Sequence, residues 1–305
     1  MQLLRDSSKH LAQSIVTIGN FDGVHLGHQQ LIRKMVNEAK ARRMPSVLLT
    51  FSPHPTEFFK PTQPAARLMR FSEKWKVVQS FGVDYFYCAT FNATLSQLSP
   101  EDFVKNILIK KLHAKKIIVG DDFRFGAKRV GDIALLTTLG KKHGFEVEAI
   151  PQLQYDHDRI SSSRVRDAIF QGDFALAEKL TGGSFCLSGK VAYGNQIGRT
   201  LGFPTANIYL RRKQVPLMGI FAVKVYDLRQ QPLPGVASIG YRPTFNGKQI
   251  ILEVFLFDFD EVIYGKKITV EFLSKIRDEV KFDSVDALVL QIADDVRVAK
   301  ERITD

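Results

Sequence analysis

Two histidines three residues apart carry the first chemistry of this chain. They stand in Gly19-Asn20-Phe21-Asp22-Gly23-Val24-His25-Leu26-Gly27-His28, directly after an apolar stretch at residues 14–18. At a helix start this spacing lets both imidazoles face one side of a strand-to-helix turn. Glycines admit a ligand close to the backbone, and the unpaired N–H groups of a helix start attract anions. The pattern describes a phosphate pocket with two imidazole donors, suited to charge building on phosphorus during displacement. Two other readings stay open on the residues alone: metal ligation with Asp22 or His54, and polar loop residues that hold nothing.

Three more clusters fall where loops should gather. Thr50-Phe51-Ser52-Pro53-His54-Pro55 uses two prolines to hold His54 in a rigid loop, or is simply a turn. Gly120-Asp121-Asp122-Phe123-Arg124-Phe125-Gly126 alternates aromatics with charge and could grip a planar ring, although Phe123 and Phe125 could equally be core. Ser161-Ser162-Ser163-Arg164-Val165-Arg166 opens a helix whose hydroxyls, free N–H groups and Arg166 could clamp a second anion, or only cap the helix.

The other half has different chemistry. Gly189, Gly194 and Gly198 permit tight turns round a phosphate, yet no G-x-x-x-x-G-K-[ST] loop is present. In Pro204-Thr205-Ala206-Asn207, Thr205 and Asn207 share one face of an extended segment, and their hard oxygens suit Mg²⁺ beside ATP phosphates. Glu253 alternates onto the face of Phe255 and Phe257, the setting of a general base toward a hydroxyl or of an edge-strand acid facing water.

Periodicity supplies the frame. Strands are expected over 14–18, 46–51, 85–89, 116–119 and 145–150. Between them run helical stretches, such as Leu31, Ile32, Met35, Val36 and Ala39, and one capped by Ser99 with Phe103, Ile107 and Leu108 inward. Alternating strands and helices imply an open parallel α/β sheet, with ligands beyond the strands' carboxyl ends. From Ser184 the pattern turns to short strands over 185–193, 221–228, 236–240, 250–258 and 267–273, then one helix over 284–302. That implies a small antiparallel barrel or sandwich with a terminal helix. Thr181-Gly182-Gly183 marks the expected boundary between domains 1–183 and 184–305.

Composition bounds the rest. The 305 residues are 45% hydrophobic and 25% charged, which excludes disorder and leaves room for two cores. No apolar run approaches the length of a membrane span, no leader pattern opens the chain, and two cysteines cannot make a disulfide framework. A cytoplasmic protein acting on small molecules is expected, without membrane or nucleic-acid partners, with a homo-oligomer possible. The 43 Lys and Arg against 32 Asp and Glu give a net charge of +11, but acids are scattered among the bases. A solvated basic surface that also draws nucleotide phosphates fits this better than a nucleic-acid face.

Taken together, H-x-G-H after the first strand and Ser-Ser-Ser-x-x-Arg at a late helix resemble the nucleotidyltransferase superfamily. The strings from Gly19 through Gly126 resemble the FMN adenylyltransferase half of the prokaryotic bifunctional riboflavin kinase/FAD synthetases. Gly198-Arg199-Thr200-Leu201-Gly202-Phe203-Pro204-Thr205-Ala206-Asn207, 235–245 and 273–277 are similar to the riboflavin kinase domain. The resemblance implies a Rossmann-like nucleotidyltransferase domain followed by a β-barrel kinase, with riboflavin, FMN and FAD as substrates and products and Mg²⁺ with ATP. It implies that Gly19, Asn20, Phe21, His25, His28, Ser161, Ser162 and Arg166 bind ATP in the first half, His25 and His28 acting on the α-phosphate. In the second half, Gly189, Gly194, Gly198 and Thr205 would bind ATP, Thr205 and Asn207 the metal, and Glu253 would be the base. His54, Asp122, Phe123, Phe125 and Arg277 would face flavin. The chain departs from the family at Ser52, where an acid is common, at Ser163, where threonine is usual, and at Phe255, where a histidine is often seen. A single-function adenylyl- or cytidylyltransferase with a binding-only C-terminal module, in which Thr205, Asn207 and Glu253 would be idle, and a flavin-sensing nucleic-acid binder are the rival readings.

Overall fold

The structure, a computed structural model, describes residues 1–4, 11–194, 197–210, 212, 214–244 and 247–304. Asn195 and Gln196 of the Gly-rich turn, and Phe245, lie outside the described residues. The chain forms two compact units, Met1–Ser162 and Ser163–Asp305.

In the first unit six strands run parallel: β1 (Gln2–Leu4), β2 (Ser14–Ile18), β3 (Ser46–Ser52), β4 (Tyr85–Thr90), β5 (Ala114–Gly120) and β6 (Glu146–Ile150). Their order is β1-β4-β3-β2-β5-β6. Helices α1 (Leu26–Arg42), α2 (Pro55–Phe59), α3 (Phe71–Ser80), α4 (Ala93–Ser96), α5 (Pro100–Phe103) and α6 (Ile133–His143) connect them, and a small hairpin, β7 (Gln154–Tyr155) with β8 (Asp158–Arg159), closes the unit.

The two faces of the sheet explain the strand composition. Ile15, Leu48, Phe86 and Ile118 point to the side of α1 and α3, where Ile32, Met35 and Val78 meet them. Val16, Val47, Leu49, Ile117 and Val119 point the other way, against Phe103, Leu108 and Leu136. With both faces covered, the central strands read as apolar runs. The chain steps from β2 outward through β3 on one side and begins again at β5 on the other. The end of β2 is therefore the topological switch point, where open α/β sheets bind ligands.

Two details escape the periodicity. Strand β1, which is not among the expected strands, pairs with β4 at the sheet edge. Ser99 does cap α5, accepting from the Asp102 N–H at 3.0 Å, but the helix continues as a π-helical turn over Val104–Ile109.

The second unit opens with α7 (Ser162–Gln171) and α8 (Phe174–Thr181). A closed barrel follows, in the order β10-β13-β12-β11-β14-β9. Its strands are β9 (Cys186–Ala192), β10 (Thr205–Tyr209), β11 (Gly219–Tyr226), β12 (Leu233–Thr244), β13 (Gly247–Leu256) and β14 (Lys267–Arg277), every pair antiparallel. A short helix, α9 (Ile197–Thr200), precedes β10, and α10 (Val285–Thr304) ends the described chain. Leu187, Ile208, Leu252 and Val254 are fully buried, while their strand neighbours alternate outward. Ala299 of α10 covers the outward-facing Ile220, Ala222 and Val236. Phe174 of α8 packs on Phe221 and Phe272.

Candidate active sites

The first site is built at the end of β2. His25 is the residue that caps α1: its Nδ1 accepts the N–H of His28 at 3.3 Å. That bond leaves Nε2 as the protonated nitrogen of a neutral His25 ring, available as a donor. The two imidazoles stack with centroids 3.7 Å apart and planes 20° from parallel, and Phe21 leans on His28 at 5.0 Å. Burial, then the nearby His25, Lys74 and Arg159, push the pKa of His28 well below the ordinary value of 6.5. His28 is therefore neutral near pH 7 and can give one N–H without carrying charge. Its Nδ1 is buried and has no hydrogen-bond partner among the described residues.

The turn before the histidines is held from three sides. Lys74 Nζ and Thr50 Oγ1 donate to the Asn20 carbonyl at 2.5 and 3.1 Å. The buried Asp22 carboxylate accepts the N–H groups of Leu68 and Met69 at 3.1 Å. Ser162 Oγ donates to the Asp22 carbonyl at 2.8 Å. Phe21 and Val24 adopt φ of 48° and 38°, a conformation that non-glycine residues hold only when surroundings impose it. Lys74 is the residue that sequence reasoning missed. It lies far along the chain in an amphipathic helix, where a lysine reads as solvent-facing, yet it is 9% exposed and its pKa is lowered by burial.

The other expected residues divide. Gly19 and Asn20 are partly exposed at the switch point. Phe21 is wholly buried, main chain included, so it backs the pocket and presents no surface to a nucleotide. Asp122 pairs with Arg159 at 2.5 Å. Phe125 is 5% exposed in the core, stacked on a partly buried Phe123 at 5.6 Å; the core reading holds for Phe125, because β5 delivers it between Phe103 and Phe123. His54 caps α2, with Nδ1 2.8 Å from Thr56 Oγ1. Ser161 precedes α7 and Arg166 follows Ser162 by four residues on it, hence on the same helix face. Asp22 and His54 have these other engagements, and among the described residues no cluster of His, Cys, Asp or Glu is placed to hold a metal.

The second site is a cavity of about 650 Å³ on the outer face of the barrel, beside α10. Strand register builds it. Asn207 lies opposite Glu253, Glu253 opposite Ser238, Ser238 opposite Ile220, and Ile220 opposite Arg277. Directly opposed residues share a face, so this row runs across five strands and all of it lines the cavity. Thr205, opposite Phe255, adds a second level. Gly194 and Gly198 line the same space: an added Cβ on Gly194 would lie 2.4 Å from Asn207 Nδ2, and one on Gly198 would lie 2.4 Å from the Phe203 carbonyl. Gly189 differs. It is buried in β9 with no room beside Ile208, whose Cγ2 would lie 2.3 Å from an added Cβ, so its smallness serves barrel packing.

Arg277 lines the cavity with its guanidinium engaged. Nε and Nη2 donate to the Asp295 carboxylate at 2.7 and 2.6 Å. Asp295 was missed in the sequence although a signal was present: it follows Leu288 and Ile292 by seven and three residues, a charge on the buried stripe of a helix.

Comparison with known proteins agrees with this division. Residues 7–164 match the family model of FAD synthetase, and residues 181–303 that of riboflavin kinase. The bifunctional riboflavin kinase/FMN adenylyltransferase of Escherichia coli K12 is 44% identical over 94% of this chain and 92% of its own length. That of Haemophilus influenzae is 43% identical over 98% of both. A crystal structure described as a macrolide-efflux protein from Streptococcus pneumoniae superposes with a TM-score of 0.80 at 34% identity, covering 95% of this chain and 94% of that one. With both domain models matched in order and curated relatives aligned over nearly its whole length, the chain belongs to the bifunctional riboflavin kinase/FMN adenylyltransferase family.

Proposed function

We propose that the barrel cavity phosphorylates riboflavin and that the switch point of the parallel sheet adenylylates the FMN so formed. The observation that carries the first half is the cross-strand row: Asn207, Glu253 and Ser238 lie side by side in a cavity that also holds Thr205. The Glu253 carboxylate takes the proton of the ribityl 5′-hydroxyl as that oxygen attacks the γ-phosphorus of ATP, and ADP leaves. Thr205 and Asn207 would supply hard oxygens to hold Mg²⁺, which fit that ion, and Gly194 leaves the Asn207 amide uncrowded. When bound, Mg²⁺ would neutralise charge on the transferring phosphates. Gly194 and Gly198 leave backbone open to the nucleotide.

In the first unit an oxygen of the FMN phosphate attacks the α-phosphorus of a second ATP, forming FAD and releasing pyrophosphate. The phosphate is its own nucleophile, so positioning and donors suffice. His25 and His28 donate through Nε2 toward the α-phosphate, held by the turn that Lys74 and Asp22 brace. Ser161 and Ser162 bind the triphosphate, and Gly19 and Asn20 line its path. His54, Asp122 and Phe123 border the flavin, and Arg277 borders it in the barrel. Both reactions draw on cytoplasmic ATP, with domain 1–183 as the transferase and 184–305 as the kinase. No helix among the described residues is long and apolar enough to cross a membrane. Incubation with riboflavin, ATP and Mg²⁺, followed by chromatography of the flavins, should show FMN first and FAD later. A chain inert toward both riboflavin and FMN would overturn the proposal.

A further inference from the structure

We propose that Asp295 is a positioning residue of the kinase cavity, holding Arg277 on the wall as a neutral ion pair so that this wall receives an uncharged ring and not an anion. The inference rests on reading the cavity as a riboflavin kinase site. Asp295 comes from α10 and Arg277 from the end of β14, and both line the cavity. Their contact is a two-point fork at 2.7 and 2.6 Å, the geometry in which arginine recognises a carboxylate most strongly. A third bond, from Gln291 Nε2 to Asp295 Oδ1 at 3.2 Å, fixes the carboxylate from within α10. Asp295 is only 3% exposed, so its charge is balanced by Arg277 and not by solvent. The third guanidinium nitrogen, Nη1, donates to the Asp278 carbonyl at 2.9 Å, and Cζ lies 5.7 Å from the centroid of the Phe282 ring, another cavity wall.

Arg277 stands at the far end of the row that begins with Asn207. An arginine there without its partner would draw phosphate to the end of the cavity opposite the metal-binding oxygens. Paired with Asp295 it presents a flat, polar, net-neutral surface, which matches the isoalloxazine of riboflavin. The pair also ties α10 to the barrel, and a purely structural role would show only in stability.

The test compares wild type with Asp295→Asn, which keeps the shape and removes the charge. The KM for riboflavin should rise about tenfold, the loss expected for one charged hydrogen-bonded partner, with kcat within about twofold. Inorganic phosphate should compete with riboflavin in the variant and not in the wild type. Adding Asp295→Asn to Arg277→Met should raise KM no further, because Asp295 acts through Arg277. An unchanged riboflavin KM with no phosphate competition, or effects that add in the double variant, would overturn the proposal. Should Asp295→Asn lose its cooperative thermal transition, Gln291→Leu carries the test, with a KM rise of about twofold to threefold expected and an unchanged KM overturning it. A wild-type chain that forms no FMN would instead refute the kinase reading itself.

Discussion

A buried lysine and a neutral histidine show how single residues set the first site. Lys74 spends its charge on one carbonyl, that of Asn20, at 2.5 Å. Lys74→Met keeps the aliphatic stem and removes that bond, so the turn bearing His25 loses its brace. Misplacement of this order costs about a hundredfold in rate. FAD formation from FMN should fall by about that factor while FMN formation from riboflavin stays unchanged, as measured by separate initial rates. His28 carries a pH signature. Its folded pKa lies below 6.5, so between the two values the unfolded chain binds more protons. Stability of the first unit should therefore rise with pH through that window and be lost as pH falls from 6.5 toward the folded value. Denaturant titrations across pH 5–7 should show this slope, and His28→Ala should flatten it. The histidines were legible because their glycine-rich setting is local in sequence. Lys74 was not, because its partner Asn20 is distant in the chain and helix periodicity does not distinguish a buried lysine from a solvated one.

Elements decide which glycines and which strand residues matter. Gly189 and Gly194 read alike in the sequence, as turns round a phosphate. The barrel separates them: one packs on Ile208, the other on the Asn207 amide. Gly189→Ala should destabilise the barrel by about 1–3 kcal/mol, seen as a lower Tm, because Ile208 is fully buried and stiff at its β-carbon. Gly194→Ala should leave Tm near wild type and remove most riboflavin kinase activity by displacing Asn207. Equal Tm losses in the two variants would contradict the distinction. The parallel strands were legible from their apolar runs, since both sheet faces are covered. The short β1 was not, because a three-residue edge strand carries too little pattern. Likewise, alternation put Glu253 and Phe255 on one face, but only strand register brings Asn207 and Ser238 beside Glu253.

At the scale of the whole molecule, each unit has its own core and a chemical site built by its own topology: a switch point in one, a cross-strand row in the other. The net charge of +11 suits a chain that draws ATP twice, yet it could not by itself name the ligand. The order of the two halves was legible because periodicity changes from strand–helix alternation to consecutive strands. The two sites are expected to act independently. The most direct measurement is to follow flavin products made by His28→Ala and Glu253→Ala, each supplied in turn with riboflavin and with FMN. His28→Ala should make FMN and no FAD, whereas Glu253→Ala should make no FMN yet convert supplied FMN to FAD. Loss of both activities in either folded variant would contradict the account.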